Sequence, residues 1–242
     1  MTPFFDPIFV RGVRELAAQA NLGSLDKDDV LKLNEIVWDL VIERILTFGT
    51  GTGEPTWPFL RLTDHGRAVI SGEPTYFDPE EYVQALMNLV PDLDSVIGQY
   101  ALEGLRCFRQ NLIFASAVMI GAAAERAMLL LLEAIRDWER EDKKRKKLDS
   151  LLERPSLPRI FETIRTTVNS LIAQKIMPFK VHEGSTEHLL SLSEMIRVQR
   201  NDAVHPTAAK VNRRKVFLAI QTFPVAIEGI YRLKSWFLEE SG

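Results

Sequence analysis

One short segment, Arg200–Pro206, carries the side chains of this sequence that are best suited to chemistry. It places a permanent cation (Arg200), a carboxamide (Asn201), a carboxylate (Asp202) and an imidazole (His205) within six residues. An arginine can hold and neutralise a phosphate with its planar, bidentate fork. A histidine can move a proton near neutral pH. Together the two are a minimal set for cleaving a phosphodiester without a metal ion.

The local geometry favours a meeting of Arg200 and His205. Residues five apart on an ideal helix point about 140° away from each other. Pro206 disfavours the α conformation at His205, so a helix that contains Arg200 should end or kink here. That break would let His205 turn back toward Arg200, while Asn201 and Asp202 cap the next turn or hold the imidazole.

A purely structural interpretation of the same segment stays open. Asn201–Pro206 can be read as a helix–helix junction, in which Arg200 pairs with Asp202 or Glu194. The Arg-x4-His spacing alone does not decide between the two interpretations, because short spacings recur by chance.

Composition sets the class of protein. The 242 residues are 46% apolar and 26% charged, which is typical of a soluble globular protein with one large or two small domains. A single cysteine, Cys107, excludes an intrachain disulfide and favours a reducing cytoplasm. The N-terminus lacks the basic and apolar regions of a secretory signal, and the longest apolar run, Phe114 to Ala124, is too short to span a bilayer. The net charge of −3 argues against a protein that coats nucleic acid non-specifically.

The first third of the chain resembles a winged helix. Helical periodicity over about residues 8 to 22 is followed by a second helix that opens at Asp26 and ends at Gly49. A glycine-rich turn, a strand around Trp57 to Leu62, and a helix capped by Thr63 come next. The resemblance covers roughly residues 8 to 72, and a linker rich in glycine and proline follows to Pro79.

Helical patterns alone fill the rest of the chain. The long helix from Asn111 to Trp138 is followed by a lysine-rich loop, and Glu125 is a carboxylate that interrupts its apolar face. The predicted helices are Pro79 to Leu89, Pro91 to Arg109, Asn111 to Trp138, Pro158 to Ile176, one from Ser185 that reaches Asn201 or Ala203, and Thr207 to Glu240.

This arrangement resembles the HEPN superfamily, whose domains are up-down helical bundles. Many members are metal-independent ribonucleases with Arg-x4-6-His near the end of a late helix. Here Arg200 matches the family's arginine, Asn201 its polar neighbour and His205 its histidine. The resemblance covers about residues 91 to 240 and implies the same fold and activity. By the same resemblance, the protein would serve bacterial defence or a toxin–antitoxin pair.

Three further groups of residues are candidates for the site. Glu125 is a candidate for orienting Arg200 or His205, against the alternative that it pairs with Arg126. Two basic clusters are candidates for binding RNA, or are otherwise solvated surface: Lys143, Lys144, Arg145, Lys146 and Lys147, and Arg213 and Arg214. No metal ligand is predicted, because His182 and His188 are six residues apart and Gly184 breaks the segment between them.

The sequence therefore predicts a mainly α protein, with a winged-helix-like module at 1–78 and a HEPN-like bundle at 79–242. The predicted function is a cytoplasmic, cofactor-free endoribonuclease that acts on RNA, forms a homodimer and has a regulatory or antitoxin protein partner. The alternatives are a non-catalytic interaction subunit and a winged-helix DNA-binding regulator. The acidic helix that starts at Asp26 speaks against the regulator, since DNA grooves are lined with phosphate.

Overall fold

The computed structural model describes residues 26–49, 60–70, 78–197 and 211–241. These residues are predominantly helical, which confirms the predicted mainly α class. The chain divides into two compact units. The N-terminal unit comprises Met1–Tyr76 with Arg109–Asn111, and the bundle comprises Phe77–Phe108 with Leu112–Gly242.

The described elements are numbered here in chain order. The N-terminal unit contains α1 (Lys27–Ile42), β1 (Leu46–Phe48), β2 (Leu60–Leu62) and α2 (Asp64–Ile70). The remaining helices are α3 (Pro79–Leu89), α4 (Ser95–Arg109), α5 (Ile113–Trp138), α6 (Asp142–Glu153), α7 (Leu157–Ala173), α8 (Phe179–His182), α9 (Ser185–Arg197) and α10 (Arg213–Glu239).

Capping interactions define the two helices that the structure describes in the N-terminal unit. At the start of α1, the Asp26 carboxylate accepts a hydrogen bond from the backbone N–H of Asp29 at 2.8 Å, and the Asp29 carboxylate accepts one from the backbone N–H of Asp26. At the start of α2, Thr63 accepts from the N–H of Gly66 at 2.9 Å, which confirms Thr63 as a cap. Gly66 is required there, because a Cβ would lie 2.1 Å from the carbonyl oxygen of Ile45.

The prediction that the first of these helices runs on to Gly49 was wrong. Helix α1 ends at Ile42, and Arg44 then adopts a left-handed conformation with φ of 60°. Leu46–Phe48 form a strand that pairs antiparallel with β2, with Thr47 opposite Arg61. The residues predicted to extend the helix therefore make their backbone hydrogen bonds to the neighbouring strand β2 instead.

Helix α5 is the centre of the bundle and packs against α10, α9, α6 and α7. It runs in the same direction as α10, because Ala117 and Val216 line one groove while Trp138 meets Phe237 at 5.5 Å. Helix α4 runs antiparallel to α5, with Gly104 against Ile120. The largest fully buried side chains of the bundle are apolar, and they include Phe108, Phe223, Phe237, Leu105, Met128 and Leu131.

Several boundaries in the bundle differ from prediction for local reasons. Helix α4 begins at Ser95 rather than Pro91, and the carboxylate of Asp94 accepts from the N–H of Val96 at 2.9 Å. Helix α5 begins two residues late because Asn111 has φ of 59°. Helix α7 ends at Ala173, since Lys175 has φ of 56° two residues later.

The lysine-rich stretch was wrongly predicted as a loop, because it forms the first two turns of helix α6. Leu148 is buried and holds this helix against the bundle, although five consecutive basic residues precede it. Helix α8 was also missed. Helix α10 starts at Arg213 rather than Thr207, with Asn212 accepting from the N–H of Lys215 at 3.0 Å as its cap.

Among the residues that the structure describes, two helices, α5 and α10, are long and apolar enough to cross a membrane by length and composition. In each, 56% of the most apolar window is buried within the protein. The same property is expected of the core helices of a soluble bundle, and here both helices supply the core.

Candidate functional site

The Arg–His segment, Arg200–Pro206, lies outside the described residues, as do its members Arg200, Asn201, Asp202 and His205. Its place in chain order is nevertheless fixed by its neighbours. The described part of helix α9 reaches Arg197, and helix α10 begins at Arg213. In chain order the segment therefore lies between these two helices.

Helices α9 and α10 pack against each other in an antiparallel manner. The imidazole of His188 lies against Gly229, and the hydroxyl oxygens of Ser191 and Thr222 are 3.5 Å apart. Further along, Glu194 lines the same groove as Lys215. The order is reversed on the two helices, so the end of α9 and the start of α10 lie at the same end of the bundle.

Ion pairing organises the last turn of α9. Arg197 donates from Nε to Glu194 at 2.8 Å and from one terminal nitrogen at 2.6 Å, which is the bidentate geometry of an arginine fork. The hydrogen bond from Arg197 holds the pKa of Glu194 below its usual value, against the opposing effect of burial. The charge of Lys215 also lowers the pKa of Glu194. This carboxylate is therefore kept ionised between two cations.

The two arginines that open α10 have different surroundings. Arg213 donates to the carbonyl oxygen of Phe108 at 3.1 Å, and its guanidinium carbon lies 4.1 Å above the Phe108 ring. It therefore ties the end of α4 to the start of α10. Arg214 is exposed to solvent. Of these two arginines, Arg214 has the surroundings of a surface contact.

The predicted carboxylate on the long helix, Glu125, is half-buried near the middle of α5. It is not a free side chain. The neighbouring Arg126 pairs with Asp94 at 3.0 Å and reaches Glu133 at 3.6 Å. Glu125 precedes Met128 by three residues, so both lie on neighbouring positions of one helix surface.

The lysine cluster sits on the first two turns of α6. Lys143, Lys144, Arg145, Lys146 and Lys147 are all exposed, and Lys144 pairs with Glu141 at 2.8 Å. These residues follow closely after Trp138, which contacts Trp236 near the end of α10. Since α10 has 27 residues, its ends are about 40 Å apart. The lysine cluster and Arg214 consequently occupy opposite ends of the bundle.

Two cavities in the bundle were not anticipated from the sequence. One, of about 270 Å³, lies between α5, α9 and α10 and includes Glu194 and Lys215 at its polar side. The other, of about 490 Å³, lies between α5, the start of α7 and the end of α9, and includes Phe161 and Arg197. No periodicity or motif marks such a space, because it depends on how three helices meet.

The cysteine and the histidines in the described part of the chain do not form a second candidate site. Burial, and then the charge of Glu103, raise the pKa of the Cys107 thiol, which lowers its reactivity. His182 belongs to α8 and His188 to α9, where His188 packs against Gly229. Within the described ranges, no group of three His, Cys, Asp or Glu residues is arranged to hold a metal ion.

Comparison with known proteins adds no relative: no protein-family model, no curated protein and no solved structure matches this chain.

Proposed function

We propose that the protein is a metal-independent endoribonuclease of the HEPN kind. The observation that carries this proposal is the position of the Arg–His segment, which joins two packed antiparallel helices of an all-helical bundle. Catalytic residues are commonly found in chain segments that a rigid scaffold positions. The arginine and histidine spacing supplies the chemistry.

In the proposed reaction, the ribose 2′-hydroxyl attacks the adjacent phosphorus. The new bond joins the 2′-oxygen to phosphorus, and the bond from phosphorus to the 5′-oxygen of the next nucleotide breaks. A general base takes the 2′ proton, and a general acid gives one to the departing 5′-oxygen. The products are a 2′,3′-cyclic phosphate and a 5′-hydroxyl, so neither an oxidant nor a water molecule is consumed in this step.

Each residue of the segment has a separate role in this proposal. His205 transfers the proton, and Arg200 stabilises the charge that grows on the phosphate oxygens. Asn201 hydrogen-bonds the phosphate or fixes His205, and Asp202 orients the imidazole. Glu125 is a positioning residue for Arg200 or His205, supported by its half-burial on α5, three residues before Met128, which lines a cavity with Arg197 of α9.

A homodimer completes the proposal. One imidazole cannot act as base and acid in the same instant, and a two-fold axis beside the segment would supply a second histidine. Only some of the small residues of α5 are exposed enough to contact a second protomer. Ser116, Gly121 and Ala123 are buried within the bundle, whereas Ala115 and Ala122 remain half-exposed. Sedimentation at micromolar concentration should give twice the mass of the chain.

For the N-terminal unit we propose a winged-helix-like module that binds protein rather than DNA. The hairpin of β1 and β2 between α1 and α2 supports the wing. The exposed acids of α1, Asp28, Glu35 and Asp39, would repel phosphate. A regulatory or antitoxin partner and a role in bacterial defence, in the cytoplasm, fit such a module.

The test of the proposed function is the chemistry of the RNA ends. The full-length protein is incubated with RNA in excess EDTA, and the 3′ ends are analysed for the cyclic phosphate. We expect cleavage in wild type, loss of cleavage in His205→Ala, and retention in His182→Ala, which removes a histidine on α8. Cleavage that requires added magnesium, or that survives in His205→Ala, would overturn the proposal.

A further inference from the structure

The cavity of about 490 Å³ between α5, α7 and α9 has the size and lining of a ligand site. Small-molecule sites in proteins typically measure about 300–1,000 Å³ and combine apolar walls with a few polar groups. The side chains that matter here are Met128, Leu157, Phe161, Ser193, Ile196 and Arg197. We call this space the Phe161 cavity.

The apolar lining suits a flat aromatic ring. Phe161 is half-buried and offers the π face on which nucleobases stack in many single-strand binding proteins. Met128 is almost fully buried, and its thioether is a polarisable group that also contacts aromatic rings favourably. Ser193 contributes a hydroxyl that can donate or accept a hydrogen bond to a base edge.

The charged lining suits a phosphate. Arg197 is the charged residue among the described side chains of this cavity, and its fork makes two hydrogen bonds to Glu194. A guanidinium held in this way loses little freedom when it meets an anion. Lys215 acts on the same Glu194 carboxylate, so two cations surround one acid at this end of the bundle.

Chain connectivity limits the distance between the Phe161 cavity and the proposed cleavage site. Arg197, which lines the cavity, precedes Arg200 by three residues. Three residues span at most about 11 Å, even when fully extended. A nucleotide that occupies the cavity would therefore be near the phosphate that Arg200 is proposed to hold.

We propose that the Phe161 cavity binds a nucleobase of the RNA substrate, next to the cleaved phosphate. The base stacks on Phe161, and the phosphate of the same nucleotide faces Arg197. This inference rests on the proposed ribonuclease function and adds to it a site that selects which nucleotide flanks the cut.

Equilibrium binding of nucleoside 5′-monophosphates to the full-length protein tests the stacking half of the proposal. We expect one monophosphate to bind at least about tenfold more tightly than ribose 5-phosphate, which has no base. Phe161→Leu keeps an apolar side chain but removes the π face, and it should weaken this binding about tenfold. Phe179→Leu, on α8 and 67% exposed, is the control and should change binding less than twofold.

A matched pair of arginines tests the phosphate half. Arg165 on α7 makes the same paired contact to Glu162 that Arg197 makes to Glu194, and both arginine side chains are 46% exposed. Arg197→Ala should weaken the monophosphate about tenfold and leave the matching nucleoside almost unchanged. Arg165→Ala should affect neither. This pair also decides the matter if Phe161→Leu does not fold.

The outcomes separate the cavity from the ribonuclease. Monophosphate binding that is equal in Phe161→Leu and Phe179→Leu, or equal in Arg197→Ala and Arg165→Ala, overturns the cavity proposal even if RNA is cleaved. Binding that depends on Phe161 and Arg197 supports it, even if His205→Ala shows that the cleavage mechanism is wrong. In a cleaving protein, Phe161→Leu should also reduce the preference among the nucleotides that flank the cut.

Discussion

The imidazole of His188 lies directly against the bare α-carbon of Gly229. A Cβ built on Gly229 would be 2.1 Å from Cδ2 and 2.6 Å from Cγ of His188. Because Cγ is attached next to the backbone of α9, the ring cannot avoid the clash by a small movement. The two residues set how closely α9 approaches α10, and these are the helices that the Arg–His segment connects.

The close approach predicts that Gly229→Ala destabilises the protein by about 1–3 kcal/mol, which is the usual cost of overpacking. Gly98→Ala is the matched control, since its Cβ would meet nothing nearer than Cε of Met87 at 3.5 Å. In a helix that substitution should stabilise by about 0.5–1 kcal/mol. Urea unfolding followed by circular dichroism measures both. Equal changes in unfolding free energy in the two variants would contradict the close contact between His188 and Gly229.

The same contact makes stability depend on pH. Burial, and then the charge of Arg232, lower the pKa of His188 below its ordinary value of 6.5, while Glu187 and Glu228 oppose the shift. Between the folded and the unfolded pKa, the unfolded chain binds a proton that the folded protein does not. Stability should therefore fall as pH drops below about 6.5 and level off below the folded pKa.

Comparison with His188→Gln isolates this effect. The carboxylates Asp94 and Glu194 also have lowered pKa values, and they lose stability at more acidic pH in both proteins. The difference in unfolding free energy between wild type and His188→Gln should change between pH 7.5 and 5.5. A difference that is constant over this range would show that His188 titrates normally.

Arg200→Lys should reduce RNA cleavage almost as much as Arg200→Ala, because lysine keeps the charge but loses the bidentate fork. We expect a loss of about 100- to 1,000-fold in single-turnover rate, the usual effect of removing one transition-state donor. Arg165→Lys serves as the control and should cleave normally. A wild-type rate in Arg200→Lys would show that the charge at this position matters and the bidentate fork does not.

Arg213 and Arg214 should respond oppositely to alanine substitution. Arg213→Ala removes the hydrogen bond to the Phe108 carbonyl and the stacking on its ring, so it should destabilise by about 1–3 kcal/mol. Arg214→Ala should change stability by less than about 0.5 kcal/mol. Thermal unfolding distinguishes them. If both variants unfold at the wild-type temperature, Arg213 is not a link between α4 and α10.

Substitution of lysines in the α6 cluster should increase stability and weaken RNA binding. Lys143 places a positive charge in the first turn of the helix, where the macrodipole disfavours it. Lys143→Gln with Lys147→Gln should therefore stabilise slightly, by a few tenths of a kcal/mol.

RNA binding by this double variant, measured in a His205→Ala background, should lose about 1.4 from the slope of log K against log salt. Lys175→Gln with Lys180→Gln is the control, because both lysines are exposed elsewhere on the bundle. An unchanged slope would exclude α6 from the RNA-binding surface.

The sequence alone determined the helical class and most helices of the bundle. Helix α3 matches its predicted bounds, because Pro79 at the start and a clear apolar period mark it. Local rules also identified Thr63 as a cap. Such features depend on residues within a few positions of each other, so they can be read from the chain directly.

Other features were decided by contacts between distant parts of the chain. The helical apolar pattern continues to Leu46, but pairing with Leu60–Leu62 makes Leu46–Phe48 a strand. The lysine-rich stretch is helical because burial of Leu148 outweighs its charge repulsion.

The function-related geometry depended on the tertiary structure most of all. The sequence treats Arg213 and Arg214 as equivalent, whereas the approach of Phe108 commits the first to packing and leaves the second exposed. The Phe161 cavity exists only where α5, α7 and α9 meet. Each of these depends on the distance between helices, which side-chain volume and close approach set and which no local pattern records.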